Sequence, residues 1–86
     1  MWFVYIIECS SGKLYTGMTG DLLRRWREHL RGRSRFTKGD PVLHVIHVEA
    51  FGARTDAERR ERQLKGWTRR KKWALSLGDR KLLRSL

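Results

Sequence analysis

The first nineteen residues constrain the fold more than any other part of the chain. Residues 2–9, WFVYIIEC, and 13–18, KLYTGM, are rich in β-branched and aromatic side chains, and Ser10, Ser11 and Gly12 separate them. Two such runs around a short glycine-containing break predict an antiparallel hairpin. With a three-residue loop and Gly12 in the left-handed conformation, Cys9 faces Lys13, Tyr15 lies opposite Ile7, and Tyr5 lies opposite Gly17. Side chains alternate along a strand, so in this register Tyr5 and Tyr15 leave the same face of the sheet. A two-residue turn would send them to opposite faces.

TGD at 19–21 then introduces a helix, with Thr19 or Asp21 as its cap and Asp21 suited to the positive end of the dipole. Leu22, Leu23, Trp26 and Leu30 recur at helical spacing and predict one apolar stripe. Arg25 and His29, one turn apart, border it, while Arg24, Arg27, Glu28 and Arg31 point to water. Gly32 closes this helix, and RGRSRFTKGDP at 31–41 reads as a loop. VLHVIHVEAF at 42–51 predicts a third strand, with Leu43, Val45 and His47 on one side and His44, Ile46 and Val48 on the other. TDAE at 55–58 reads as a capping box of Thr55 with Glu58, opening a second long helix that Gly66 ends. TRRKKWALSLG at 68–78 predicts a short helix capped by Thr68, and DRKLLRSL at 79–86 a last turn or helix. The expectation is one α+β domain over residues 1–86. It is a small, mainly antiparallel three-stranded sheet flanked by helices, in the order β-β-α-β-α-α.

Charge selects the partner. Twenty Lys and Arg against nine Asp and Glu give a formal net charge of +11, which draws in polyanions, nucleic acid first among them. A membrane is disfavoured, because no stretch is long and apolar enough to span one and no helix pairs a broad apolar face with a basic one. The N-terminus has no basic lead or cleavage site and reads as a strand rather than a signal peptide. Cys9 is the single cysteine, which rules out an internal disulfide and a cysteine-based zinc cluster and fits a cytoplasmic location. His44 and His47, three apart on a strand, are expected on opposite sides, unable to grip one metal. Trp67 and Trp73 are read as core anchors ahead of base-stacking platforms.

The second helix carries an oddity. Ala57 and Leu64 mark its inward face, and Glu61 falls between them. A carboxylate aimed inward is costly unless an arginine, such as Arg25, or a divalent cation pairs with it; otherwise it sits solvated at the rim. Tyr5, Tyr15, Arg25, His29 and Glu61 together suit phosphodiester cleavage. Arginine clamps phosphate, a carboxylate holds a cation, and tyrosine or histidine moves the proton. Arg24, Arg35, Lys38, Arg69, Arg70 and Lys71 are candidate contacts to the nucleic-acid backbone.

These residues resemble the GIY-YIG endonucleases. VYI at 4–6 and YTG at 15–17 stand at the two tripeptides that name the family, and Tyr5 and Tyr15 match their tyrosines. DLLRRWREH places Arg25 at the family's helix arginine and His29 one turn later, and AERRERQLKGW places Glu61 at the metal-binding glutamate. Gly17 matches the motif glycine, needed for close backbone approach. Val4 and Thr16 depart from the tripeptides, and Met18 and Thr19 stand where some relatives carry a lysine that activates the attacking group. The likeness is greatest to small stand-alone members. It implies an endonuclease using one Mg²⁺ or Mn²⁺ at Glu61, cutting DNA in repair or processing and reading branched, flapped or damaged shapes. Other members are fused to further domains, so a protein partner that supplies specificity is also implied; the oligomeric state stays open. A non-catalytic DNA- or RNA-binding module of the same fold is the alternative, and a structural protein of an RNA-rich assembly a third reading.

Overall fold

The computed structural model of the protein describes residues 1–32 and 39–79. Strands β1 (Trp2–Cys9), β2 (Leu14–Thr19) and β3 (Val42–Phe51) form an antiparallel sheet in the order β2-β1-β3. Helix α1 (Leu22–Leu30) lies between β2 and β3 in sequence, and α2 (Arg54–Lys65) and α3 (Arg69–Ser76) follow β3. The sequence predicts this order of elements. The expected final turn lies outside the described residues beyond Asp79.

The hairpin has the three-residue register. Cys9 N–H donates to the Lys13 carbonyl at 3.0 Å, Gly12 has φ +88°, and Tyr5 pairs with Gly17 and Ile7 with Tyr15. The turn is tied down from outside: Asp40 accepts hydrogen bonds from the Ser11 N–H at 3.1 Å and the Ser11 hydroxyl at 2.6 Å. Alternation then divides the sheet. Val4 and Ile6 face α2 and form the buried core with Ala57 and Leu64, all at 0% exposure, ringed by Trp2, Leu14, Met18, Ile46, Phe51, Trp67 and Leu75. Tyr5, Ile7 and Tyr15 point the other way, towards α1.

Three expectations need correction. The ladder between β1 and β3 shifts between Ile6 and Ile7, so Ile6 pairs with His47 and Glu8 with His44. This bulge puts both histidines on one face. They still do not share a metal, because His44 engages Glu8 at 2.8 Å and His47 engages Glu49 at 2.7 Å. Helix α2 starts one residue before Thr55, with Ala53 at the cap position and no side-chain cap. Glu58 bonds Arg54 Nε at 2.9 Å instead of closing a capping box, and Arg54 stacks over the Trp2 ring at 5.0 Å. The stripe on α1 is narrower than the spacing predicts, for Leu23 is 60% and Leu30 56% exposed. Leu22 and Trp26 are half-buried, and the helix turns Arg25 and His29 inward beside them. Of the two caps read from the sequence, Thr19 and Asp21, it is Asp21 that accepts from the Arg24 N–H.

Candidate active site

Tyr5 is the centre of the constellation. It stands on the middle strand with its ring laid over Gly17, where a Cβ would come within 2.5 Å of the Tyr5 hydroxyl oxygen. Glycine is required there because no other residue leaves room for the phenol. The Tyr5 Oη is 2.9 Å from His29 Nε2, and the two rings meet edge to face at 5.6 Å and 72°. Arg25 stands on the preceding turn of α1, and its charge acts on the same phenol.

Electrostatics set the charge state of that contact. Burial pushes the Tyr5 phenol above its ordinary value; Arg25 opposes this, and the Glu61 and Glu28 charges reinforce it. Burial, followed by the Arg25 charge, holds His29 below the ordinary imidazole value, with Glu28 opposing. Near neutral pH the phenol is therefore protonated and the imidazole uncharged. The contact thus joins two uncharged groups, and the imidazole tautomer sets which of them donates.

Tyr15 leaves the same face two residues before Gly17 and is half-buried. Glu61 arrives from the other side of the sheet, on α2, which packs beneath β2. Its side chain is 21% exposed and bonds Lys65 Nζ at 3.5 Å. The Glu61 charge acts on the Tyr5 phenol, but the carboxylate does not line the void or the cleft beside that phenol. Arg25 pairs with Glu28 at 3.3 Å, and Arg24 bonds the other oxygen of the same carboxylate at 3.3 Å. Glu28 was expected to point to water, and its spacing alone did not single it out from Arg24 and Arg27.

The void that Tyr5, Arg25 and His29 share with Leu22, Trp26 and Val45 measures about 10 Å³, room for one water at most. Beside it opens a cleft of about 330 Å³ lined by Thr19, Gly20, Asp21, Arg24, Arg25 and Glu28. Arg25 is the side chain common to both, so it joins the sealed phenol–imidazole pair to open space. On its other flank an apolar groove of about 450 Å³ runs along Leu22, Leu23, Trp26, Val45 and Val48.

Among the described residues no group of three His, Cys, Asp or Glu could hold a metal. A cation here would take one carboxylate and complete its shell with waters and substrate phosphate, the habit of Mg²⁺. Glu61 fits that demand: it is half-buried, and among the described residues it pairs with the flexible Lys65. The expected backbone contacts diverge. Arg24 and Arg70 are exposed, Arg69 donates to the Gly12 carbonyl at 2.8 Å and lies 3.8 Å from Glu8, and Lys71 sits over the Trp67 ring at 4.3 Å. Arg35 and Lys38 lie outside the described residues. Cys9 is buried, with its thiol pushed up by that burial and then by Asp40 and Glu8.

A hairpin-borne tyrosine pair under a basic helix, on a three-stranded sheet, defines a small α+β domain. The model of the GIY-YIG catalytic domain matches residues 1–74, and the chain belongs to that nuclease family. It is 44% identical over 75 residues to the UPF0213 protein of Haloquadratum walsbyi, covering 86% of this chain and 84% of that one. It is 39% identical over 74 residues to a UPF0213 protein of Staphylococcus aureus, covering 85% and 90%. The solution NMR structure of a UPF0213 protein from Bacillus halodurans is similar at a TM-score of 0.56 and 38% identity, covering 87% of this chain and 82% of that one. No helix among the described residues is long and apolar enough to cross a membrane.

Proposed function

We propose that the protein is an endonuclease that hydrolyses DNA phosphodiester bonds with one divalent cation, Mg²⁺ or Mn²⁺. It acts in repair or processing by recognising branched, flapped or damaged shapes instead of base sequence, alone or with a protein partner that adds specificity. The observation that carries this reading is the 2.9 Å hydrogen bond between Tyr5 Oη and His29 Nε2, with Arg25 lining both their enclosed void and the open cleft beside it. Arg25 holds the scissile phosphate and offsets its charge. Tyr15, on the same face and less enclosed, positions the attacking water or steadies the leaving oxygen. The water's proton passes to Tyr5 as Tyr5 hands its own to His29 Nε2, the neutral ring being the stronger base of the two. Glu61 would hold the cation, which when bound supplies Lewis-acid charge to the phosphate oxygens. Arg24 and the basic surface of α3 grip the flanking backbone without reading bases.

The test is cleavage of branched and linear DNA with Mg²⁺, with Mn²⁺ and with chelator. Nicking is expected only with metal, abolished in Glu61→Ala with DNA binding kept, and lowered about a hundredfold or more in Arg25→Ala. Equal behaviour of wild type and Glu61→Ala in every arm removes the nuclease reading. One observation favours a second reading, a DNA- or RNA-binding module without turnover: Lys65 already occupies Glu61. Metal-independent binding of either nucleic acid with no nicking in any arm is its signature.

A further inference from the structure

The charge on α1 is gathered into one stripe. Arg24, Arg27, Glu28 and Arg31 follow one another three and four residues apart, so their side chains share a face of the helix. Together they line a second cleft, of about 290 Å³. Arg24 and Glu28 also line the cleft in which Arg25 stands, so the two openings have a wall in common. Glu28 anchors that wall: one carboxylate oxygen lies 3.3 Å from Arg25 Nε and the other 3.3 Å from Arg24 Nε. Each approach is made by Nε, the inner nitrogen, whereas the outer fork of a guanidinium is the edge that grips phosphate.

Beyond this shared wall the charge is one-sided. Three arginines face one carboxylate in the second cleft, and among the described residues Arg27 and Arg31 enter no ion pair. Like charges at this spacing work against a helix unless an anion joins them. On α3 the comparable groups are already engaged: Arg69 donates to the Gly12 carbonyl at 2.8 Å, and Lys71 lies over the Trp67 ring at 4.3 Å.

We propose that this stripe is the track along which the phosphate backbone of the substrate strand leaves the cut. Arg25 takes the scissile phosphate, and the next phosphates lie in the second cleft against Arg24, Arg27 and Arg31. At about 1.5 Å per residue the stripe is about 10 Å long, the axial rise of about three nucleotides of one strand. Glu28 is a positioning residue that fixes Arg24 and Arg25 relative to each other. The inference rests on the nuclease reading for the identity of the scissile phosphate, and on the charge and shape of α1 for the track itself.

The first test measures duplex DNA affinity in chelator as a function of salt, which needs no turnover. A double variant, Arg27→Gln with Arg31→Gln, is compared with Arg59→Gln plus Arg62→Gln, which removes two exposed arginines of α2 and lowers the net charge equally. The slope of log affinity against log salt is expected to become shallower by about 1.4–1.8 in the α1 pair, the worth of two phosphate contacts, and by less than about 0.5 in the α2 pair. An equal change in both pairs, or none in the α1 pair, overturns the track. Glu28→Gln then tests the junction. It takes a negative charge out of the path, so affinity is expected to hold or rise, while single-turnover cleavage at saturating branched DNA falls about tenfold as Arg25 loses its holder. Any other pattern removes the positioning role of Glu28. Each variant is first checked for an unchanged thermal transition. If the α1 pair does not fold, the arginine Nε–Hε resonances of the wild type decide: duplex DNA shifts those of Arg24, Arg27 and Arg31 if the track holds, and leaves them in place if it does not. If wild type cleaves in no metal, the nuclease reading fails by itself, and the salt slopes still rule on the track.

Discussion

The two faces of the sheet are built for different ends. The α2–α3 face is apolar and closed: Val4, Ile6, Ala57, Leu64 and Ala74 are all at 0% exposure. The α1 face is held by a phenol, an imidazole and a guanidinium, and it leaves Leu23, Leu30 and Val48 in solvent. Burying a large aliphatic side chain stabilises by about 1.5–3 kcal/mol, whereas a hydrogen bond contributes about 1 net. The difference teaches that the α2–α3 side holds the aliphatic core, whereas the α1 side seats the Tyr5–His29 pair under loose apolar packing that leaves room for substrate.

Three measurements bear on that contrast. The largest effect is expected at Leu64→Ala, which should cost about 2–5 kcal/mol in urea denaturation. Leu23→Ala, on the helix of the other face, should stay within about 0.5 kcal/mol. Similar losses at both positions would break the comparison. Next comes Gly17→Ala, whose methyl meets the Tyr5 ring. A loss of about 1–3 kcal/mol is expected, shrinking in a Tyr5→Leu background, and a double-mutant cycle measures the coupling. An additive cycle would mean the ring does not depend on the glycine.

The smallest effect is in the pH profile. His29 is depressed below the ordinary value of 6.5 by burial and then by Arg25, so on acidification the unfolded chain takes up this proton first. Its contribution is intact above 6.5, is lost as pH falls from there towards the depressed folded value, and levels off once both states are protonated. Against wild type, His29→Gln should show a flatter stability profile between about pH 7 and 5, by about 1 kcal/mol or less. Identical profiles would say that the ring titrates as freely folded as unfolded.

How far the sequence carries depends on the kind of interaction. The hairpin is legible because its register follows from a local turn, and Gly12 adopts the left-handed backbone that this turn demands. Asp21 and Thr68 are legible as caps for the same reason. Helix α1 is half legible: periodicity finds Leu22 and Trp26, but Leu23 and Leu30 lose their burial because Tyr5 needs polar partners from that helix. The shared face of His44 and His47 depends on a bulge that no pattern in VLHVIHVEAF announces. The start of α2 moved because Arg54 has Trp2 and Glu58 to hold it, contacts that exist only after folding. Arg25, His29 and Tyr5 were found as a group through their spacing and resemblance, whereas the Arg25–Glu28 and Glu61–Lys65 pairings required coordinates. Arg27, Glu28 and Arg31 read as solvated charge, and the cleft they line with Arg24 shows only in three dimensions.

The place of β1 between its two neighbours also has a consequence in time. Its ladder with β2 closes over a three-residue loop, a microsecond event in isolated hairpins, whereas its ladder with β3 must wait for the whole stretch of chain between β2 and β3 to be gathered in. Tyr5 is thus seated on Gly17 early, and the Val48 backing on its other side is added late. A nascent chain would lay the foundation for the phenol well before α1 can bring it a base.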